Sequence, residues 1–593
     1  MNFDIEPLEK LSQGIISTLK RFPMASFSAF LLTIIVISLI ELEFYQRDSE
    51  IVILATKIAF VASLGITLFP ALRLLYPSII LGILGIAILV GYYYILPANI
   101  SDSQNHIFFR HTLLTLALFI MLVWAPFVNV KISNKNIWEW TQNIILALFA
   151  TILLSLILYA GLSLALYAVD RLFEIDIASR RYAQLAIMVF GLYGVNFFLS
   201  QLPKYILLLQ VRTYTKVEVI FTKYILTNLA IGYFLILFAY DIKILINMEF
   251  PKGILAWLTV AFAIIAMATY LFWTPLWNEK NEKYKKYIQM AVLIQSLMLG
   301  LSIWIRVDEY GFTESRYFIS LFGVWLLLMS LYFILIEKAS YKWLFITLSL
   351  LIIGSQFGKY SASEVSKNDQ TSRLTKMIEE SKPISEKLDT KIKYRISNLI
   401  SYLNHRHGRD SLNSVIPDIV QKYNRELNDA NSTINKNYGF ASFATKELGF
   451  KFINSWEYRE YIRKGSITPE ITVYESFKER ESINIDGYQW LTDYYYSKYE
   501  KSTGVNIDNK TSLIFKDNSL YVIENNKSLI NMNLNSLIDL LGKKNNTNSN
   551  KMVYLYKNKQ IKVKLFINQL TLLDDRNISS LNCRVLIRKT SKK

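Results

Sequence analysis

Cysteine is the scarcest residue type in this chain: Cys583 is its single cysteine, so no disulfide bond can form within the chain. Stability therefore does not rest on oxidation. The sequence also lacks a glycine-rich phosphate loop, a zinc signature and a serine-nucleophile elbow. These are the patterns by which a soluble-type enzyme would be recognised. The sequence thus favours a function other than catalysis, and we predict no cofactor and no metal ion.

No cleavable signal peptide is predicted from the first residues either. Lys20 and Arg21 precede the apolar run Phe22–Ile40, which is long enough to span a bilayer and lacks a cleavage site of small residues. We interpret this run as an uncleaved first span. Before it, residues 1–21 are predicted to form an amphipathic helix on the membrane surface. Its apolar residues recur at helical spacing, at Leu8, Leu11, Ile15 and Leu19.

Long apolar runs dominate the chain up to residue 357. A helix needs about 20 apolar residues to cross a bilayer. Ten runs come close to that length, and an eleventh, Trp343–Phe357, is shorter. The predicted spans are Phe22–Ile40, Ile51–Pro70, Tyr76–Leu96, Phe108–Pro126, Ile144–Val169, Tyr182–Leu202, Tyr224–Leu245, Ile254–Pro275, Tyr287–Ile305, Tyr317–Ile336 and Trp343–Phe357. We therefore predict a polytopic α-helical membrane domain over residues 22–357.

The charges in the loops between these spans indicate the orientation. If the N-terminus is inside, the inside segments hold sixteen Lys and Arg residues and the outside loops hold seven. Positive charge accumulates on the cytoplasmic side, so we predict a bacterial inner-membrane protein with a cytoplasmic N-terminus. Eleven spans then place the C-terminal region in the periplasm. If Trp343–Phe357 does not cross, that region is cytosolic instead.

Beyond the last apolar run the composition becomes polar. We interpret residues 358–390 as a linker or an exposed helix, and residues 391–593 as a soluble α+β domain. Its first part shows helical spacing, with Gly408 predicting the end of one helix and Pro417 a kink or late start in the next. From about Thr511 the apolar residues alternate, which predicts a hairpin turning at Asp517–Asn518, a second hairpin within 552–569 and a last strand over 581–589.

The tail from residue 358 onward is strongly basic and carries 13 of the 18 net positive charges. A basic face can attract anionic lipid headgroups or an acidic polymer, and a merely solvated lysine-rich surface is the simpler interpretation. No nucleic-acid-binding module is recognisable, so we predict no nucleic acid partner. The predicted partners are the lipid bilayer and, through the tail, an envelope protein or anionic lipid.

Polar side chains inside the apolar runs form the first candidate site. Lys57 lies six residues into the second span, and Asp241 and Lys243 lie near the end of the seventh. Ionisable groups at membrane depth are costly and often functional, although a lysine near a helix end can extend to the headgroups. Amides lie in other spans, at Asn196, Gln201, Asn228 and Gln295. Such amides can line a cavity, but hydrogen bonding between helices is the preferred interpretation for each of them taken singly.

The second candidate site is the charged loop within Ile303–Phe318. It holds Arg306, Asp308, Glu309, Glu314 and Arg316 between two apolar runs. We predict that Arg306 ends one helix, that Tyr310–Gly311 forms a turn and that Thr313 caps the next helix. Glu314 then suits that helix's first turn, and Arg316 can extend to the headgroups. Asp308 and Glu309 remain, and either pair with Arg306 or Arg316 or face the tail.

Four stretches carry a resemblance to known proteins. They are "RFPMASFSA" from Arg21, "LFAYDIKILINMEFPKG" from Leu237, "IRVDEYGFTESRYF" from Ile305 and "ISYLNHRHGRDSL" from Ile400. In combination they resemble a family of bacterial membrane proteins known as domain of unknown function 4153, over nearly the whole chain. The resemblance implies a polytopic membrane protein with a C-terminal soluble region. It supplies no activity, substrate or catalytic residue.

Three functions fit these features. In the first, the protein is an envelope sensor or scaffold whose tail binds a partner outside the membrane. In the second, it is a small-solute transporter or permease with Lys57, Asp241 and Lys243 lining the route, although no internal repeat is evident. In the third, it is a membrane-embedded transferase acting on a lipid-linked substrate, with acids such as Asp308 and Glu309 at the outer membrane face.

Overall fold

The computed structural model describes residues 16–42, 49–97, 106–204, 212–247, 254–428, 439–464, 472–475, 485–498, 504–508, 510–525, 527–536, 538, 552–573 and 577–589. The N-terminal amphipathic helix was predicted from Leu8, Leu11, Ile15 and Leu19, and the first three of these lie outside the described residues. The chain divides into two compact units, Met1–Phe452 and Ile453–Lys593. Each unit is built on a different type of secondary structure.

The first unit is helical. Its helices within the described residues are α1 (Pro23–Leu42), α2 (Glu50–Leu75), α3 (Ile79–Ile95), α4 (His106–Trp124), α5 (Asn134–Phe173), α6 (Ser179–Gln201), α7 (Lys216–Asn247), α8 (Ile254–Phe272), α9 (Tyr284–Tyr310), α10 (Glu314–Leu335), α11 (Tyr341–Gly354), α12 (Ala362–Glu380), α13 (Thr390–His407), α14 (Pro417–Asn428) and α15 (Phe440–Glu447). Helices α1 to α11 each overlap one predicted span, in the same order.

Nine of these helices in the described part of the chain are long and apolar enough to cross a membrane. The two shorter apolar helices are α3, with 17 residues, and α11, with 14. Helix α5 is much longer than predicted, because its 40 residues begin ten positions before Ile144. At a rise of 1.5 Å per residue it extends about 60 Å, roughly twice the hydrocarbon thickness. The number of eleven crossings therefore stays a prediction.

Close packing of helices in the bundle depends on small residues. A Cβ atom added to Gly65 of α2 would lie 2.6 Å from the Ser28 Oγ of α1, so a larger residue there would push the two helices apart. Contacts between small residues favour helix association in lipid, where apolar burial gives little driving force. Large buried side chains fill the centre of the bundle, including Phe127, Trp140, Leu237 and Phe262.

The helices after the last apolar run form a second hydrophobic cluster within the same unit. Its buried residues include Leu374, Ile396, Ile400, Leu403, Val420 and Phe440. Helix α12 occupies most of 358–390, the segment interpreted as a linker or an exposed helix. As predicted, α13 ends at Gly408, with φ +80°, and α14 begins at Pro417. The first compact unit ends at Phe452, and the soluble domain over residues 391–593 stays a prediction.

The second unit contains one described helix, α16 (Ser455–Lys464), and two antiparallel sheets. The strands are β1 (Thr472–Glu475), β2 (Trp490–Ser497), β3 (Val505–Asn506), β4 (Thr511–Lys516), β5 (Ser519–Glu524), β6 (Lys527–Asn533), β7 (Val553–Lys557), β8 (Ile561–Leu573) and β9 (Asn577–Lys589). One sheet has the order β1-β8-β9-β2 with β7 also pairing with β8, and the other has the order β3-β4-β5-β6. Both predicted hairpins and the predicted last strand are present, whereas β1, β2, β3 and β6 had not been predicted.

The hairpin turn at Asp517–Asn518 has the geometry that its residues favour. Both have positive φ, at 49° and 55°, as a two-residue hairpin loop requires. Along β8 every second residue is buried, from Ile561 to Ile567, and these side chains form the core of the unit. Cys583 lies in the same core, and burial raises the pKa of its thiol. This cysteine is therefore a packing residue.

Candidate functional site

The loop between α9 and α10 is the point where the bundle meets the tail helices of the same unit. Helix α9 continues past Arg306 to Tyr310, so the prediction that Arg306 ends the helix was wrong. The helix ends at Gly311, whose φ is +73° and whose N–H donates to the Val307 carbonyl at 2.8 Å. A Cβ atom on Gly311 would lie 2.0 Å from the Asp369 Oδ2 of α12. Glycine is needed here for both its backbone conformation and the approach of α12.

Three side chains of α12 hold this loop, and we call Asp369, Gln370 and Arg373 the α12 clamp. Asp369 Oδ2 accepts the Phe312 N–H at 2.8 Å. Gln370 Nε2 donates to the carbonyls of Tyr310 and Phe312, both at 3.0 Å. Arg373 donates to the carbonyls of Val307, at 3.0 Å, and Asp308, at 3.1 Å.

These bonds have a clear physical basis. The last carbonyls of a helix have no partner within the helix, and they carry partial negative charge. Arg373 supplies a cation and two N–H donors to carbonyls in the last turn of α9. Asp369 in turn accepts the Arg373 Nε–H at 3.1 Å, which orients the guanidinium group. The clamp therefore binds the main chain of the loop rather than its side chains.

Helix α13 makes a second set of contacts at the start of α10. Thr313 occupies the N-cap position, but its side chain makes no capping hydrogen bond. The Glu314 N–H instead donates to the Tyr402 hydroxyl at 3.2 Å, and that hydroxyl lies 2.7 Å from Ser366 Oγ. Burial raises the pKa of Tyr402, so the phenol stays protonated at neutral pH. The predicted Thr313 cap is thus replaced by a tail residue.

The acidic side chains of the loop have different surroundings. Glu314 is buried and lies 3.9 Å from Arg406 of α13. Glu309 lies 3.4 Å from Arg395 of α13, so it faces the tail, as one of the two alternatives had it. The Asp308 carboxylate is exposed, and its main-chain carbonyl is the part that contacts Arg373.

Arg316 does not extend to the headgroups, contrary to the prediction. Its Nη1 donates to the Gly311 carbonyl at 2.7 Å and to the Tyr310 carbonyl at 3.2 Å. The guanidinium also lies 5.5 Å from the Tyr310 ring centre. Arg316 thus binds the same helix end as Arg373, because the C-terminus of α9 attracts cations.

The ionisable residues predicted within the spans are not brought together. The Lys57 ammonium lies 4.5 Å from the Tyr93 ring centre, a cation–π contact between α2 and α3. Lys243 is exposed on the outside of the bundle. Asp241 is buried and accepts a hydrogen bond from Gln295 of α9 at 2.6 Å. A single route lined by all three residues therefore has no geometric support.

Two further arrangements within the bundle bear on chemistry. Helices α7, α8 and α9 surround a mostly apolar cavity of about 450 Å³, with Phe234, Phe262 and Trp273 in its wall. Elsewhere, the His111 ring lies 2.9 Å from both Ser63 Oγ and the Tyr92 hydroxyl. Ser63 donates its proton to the Phe60 carbonyl at 2.8 Å, so it accepts from His111. A nucleophilic serine would instead donate to the histidine, so this trio suits packing better than catalysis.

The sequence reasoning missed the clamp residues and Tyr402. A signal did exist: Ala362, Ser366, Gln370, Leu374 and Ile378 recur every four residues and are buried on one face of α12. Two of those five residues are polar, so an apolar pattern alone does not reveal the face. Buried serine and glutamine at helical spacing would have pointed to polar contacts with another element.

Together, the apolar helices and the sheet unit define a membrane protein of unknown activity with a C-terminal β-rich region. The chain belongs to the family described as Domain of unknown function (DUF4153), whose model matches residues 22–374, more than half of the chain. No curated protein and no solved structure matches the chain. The match extends past the last apolar helix and includes the clamp residues, whereas the stretch from Ile400 to Leu412 lies beyond it.

Proposed function

We propose that the protein is a scaffold or sensor of the bacterial inner membrane, with tail helices that are held by the bundle and a C-terminal unit that binds a partner. The α12 clamp is the observation that carries this proposal. It joins the main chain of the α9–α10 loop to the tail through five hydrogen bonds. Through these bonds a sensor would pass a shift of α9 to α12, and a scaffold would hold the tail helices against the bundle.

The clamp also supports the proposed topology. Gln370 donates to the Tyr310 carbonyl, so this part of α12 lies at the same end of the bundle as the α9–α10 loop. Tyr317, near the start of α10, likewise donates to the Tyr360 carbonyl at 2.7 Å. Since α10 leads away from this loop, α11 has to lead back, which favours a crossing by α11 despite its 14 residues. With a cytoplasmic N-terminus, the loop and the tail are then periplasmic.

The C-terminal unit offers a surface for a partner. Among the described strands, β2 is at one end of its sheet and pairs with β9. On its outer face Leu491 and Tyr495 are exposed, at 52% and 55%. An end strand has unpaired N–H and C=O groups, and exposed apolar side chains add area that water solvates poorly. An envelope protein that adds a strand to β2 would pair with these N–H and C=O groups and cover these apolar side chains.

Site-specific photo-crosslinking in intact cells tests the scaffold function. A photoreactive amino acid at Tyr495 should give a discrete adduct with one envelope protein. The matched control is the same amino acid at Ile514, which is exposed on β4 in the interior of the other sheet. Absence of an adduct from Tyr495 under all growth conditions, or identical adducts from both positions, would contradict the proposal.

The two alternatives receive less support from the described residues. Transport along a route lined by Lys57, Asp241 and Lys243 is not favoured, because these residues lie in separate surroundings. A transferase with acids at the loop is not favoured either, because Glu309 pairs with Arg395 and the loop main chain is occupied by the clamp. Both functions stay predictions.

A further inference from the structure

Asp241 is a buried acid in a helix that is long and apolar enough to cross a membrane. Asp241 is 2% exposed, and Leu237 and Ile244 of the same helix are buried as well. Gln295 of α9, which is 1% exposed, donates from Nε2 to Asp241 Oδ2 at 2.6 Å. One amide therefore solvates one of the two carboxylate oxygens.

The remaining polar atoms of this pair have no protein partner. Within the described residues, Asp241 Oδ1 and Gln295 Oε1 make no hydrogen bond. Thr259 of α8, a helix that packs against both α7 and α9, is fully buried and its hydroxyl is also unpaired. Thr259 lies five residues from its end of α8 and Asp241 lies six residues from its end of α7. The two are thus at similar depth, about 8–9 Å from the linked helix ends.

Among the described residues, no cation pairs with the Asp241 carboxylate. On α7 the neighbouring Lys243 is exposed, and α8 contains no charged residue. On α9 the charged residues lie near its two ends, at Lys285, Lys286, Arg306, Asp308 and Glu309. Arg306 is three helical turns from Gln295, about 16 Å along the axis. An uncompensated carboxylate at membrane depth is energetically costly, so the carboxylate needs a bound cation or a proton.

We propose that Asp241 and Gln295 form a binding site for one monovalent cation, a proton or Na⁺, inside the bundle. Either ion neutralises the carboxylate. Carboxylate, amide and hydroxyl oxygens are also the ligands that hard cations prefer, and the unpaired Thr259 hydroxyl lies at a similar depth on the adjacent helix α8. Helix α9 carries both Gln295 and the Val307 carbonyl that Arg373 binds, so cation binding at the site can affect the α12 clamp through this helix. This effect on the clamp rests on the proposed function, whereas the cation site does not.

The test uses the purified full-length protein and two readouts at this site. The first is the rate at which dicyclohexylcarbodiimide labels Asp241, followed by peptide mass spectrometry at rising pH, with NaCl or choline chloride. If a proton is the occupant, the rate falls about tenfold per pH unit once the carboxyl ionises. If Na⁺ is the occupant, NaCl protects and choline chloride does not.

The second readout is thermal unfolding of the wild type and Asp241→Asn under the same conditions. A bound cation stabilises the folded state by mass action, so the wild type should respond to pH or Na⁺ and the neutral variant should lose that response. Asp308→Asn, at an exposed acid, is the control and should respond as the wild type does. The proposal is overturned if Asp241 labelling is insensitive to pH and Na⁺ and the wild type and Asp241→Asn unfold with the same dependence on both.

Discussion

Arg373 of α12 donates from Nη2 to the carbonyl oxygen of Val307 at 3.0 Å, which joins a tail helix to the last turn of a membrane helix. The two residues are 66 positions apart, and α10 and α11 lie between them. The contact therefore requires α10 and α11 to lead the chain away from the α9–α10 loop and back to it.

Replacing Arg373 by Ala should loosen the loop. The variant loses a charged donor to two helix-end carbonyls, which is worth about 2 kcal/mol. Hydrogen–deuterium exchange of residues 305–316 should become faster by more than tenfold. Lys376→Ala, at an exposed position one helical turn away, is the control and should leave the exchange unchanged. Equal exchange in both variants would show that the clamp does not hold the loop.

Gly311→Ala should disrupt the clamp through a steric clash. The new Cβ would lie 2.0 Å from Asp369 Oδ2 and 2.4 Å from Arg373 Nε. Gly408→Ala is a close control, since Gly408 also follows a helix end, has φ +80° and has open space where a Cβ would lie. Alanine is strained to a similar extent in both variants, because positive φ with ψ near 180° is almost confined to glycine, but limited proteolysis should cut α12 faster in Gly311→Ala. Equal cleavage would argue against close docking.

Tyr402→Phe should speed hydrogen exchange of the Glu314 amide at the start of α10. The variant keeps the ring and removes the hydroxyl that accepts the Glu314 N–H at 3.2 Å. Loss of one such bond costs about 1 kcal/mol, which corresponds to about fivefold faster exchange of that amide. Amide-resolved hydrogen exchange at Glu314 measures the effect, and the clamp amide of Phe312 serves as an internal reference. An unchanged exchange rate of the Glu314 amide would show that the Tyr402 hydroxyl does not cap α10.

Asp508 should make the second unit sensitive to acid. Its carboxylate accepts the Lys510 N–H, with Thr511 and Lys589 as further donors, and these bonds lower its pKa to about 2. Because this pKa is below the unfolded value of about 3.9, the stabilisation is present above pH 4 and is lost as the pH falls towards 2. Asp508→Asn should flatten the pH dependence of exchange in β4 and β9. If the variant keeps the same acid sensitivity, groups other than Asp508 cause it.

The sequence predicted the helical bundle better than the clamp, for physical reasons. Apolar runs of membrane length are local signals, and each of α1 to α11 lies on one of them. Asp369, Gln370 and Arg373 instead lie in a polar stretch, and their partners are main-chain atoms about sixty residues earlier, which carry no sequence signal. The second hairpin was predictable from strict alternation in β8, whereas β2, with "WLTDYYYS", combines aromatic and polar residues without a clear period.

Placement of the tail on the side of the α9–α10 loop is the central claim, and cysteine accessibility tests it most directly. In a Cys583→Ser background, single cysteines are introduced at Asp308, at Lys376 and at Glu279, which are all exposed. A membrane-impermeant maleimide added to spheroplasts should label the cysteines at 308 and 376, and the one at 279 only after lysis. Labelling of 308 but not 376 in unlysed spheroplasts would contradict the claim, because α11 would then not return the chain to the side of the loop.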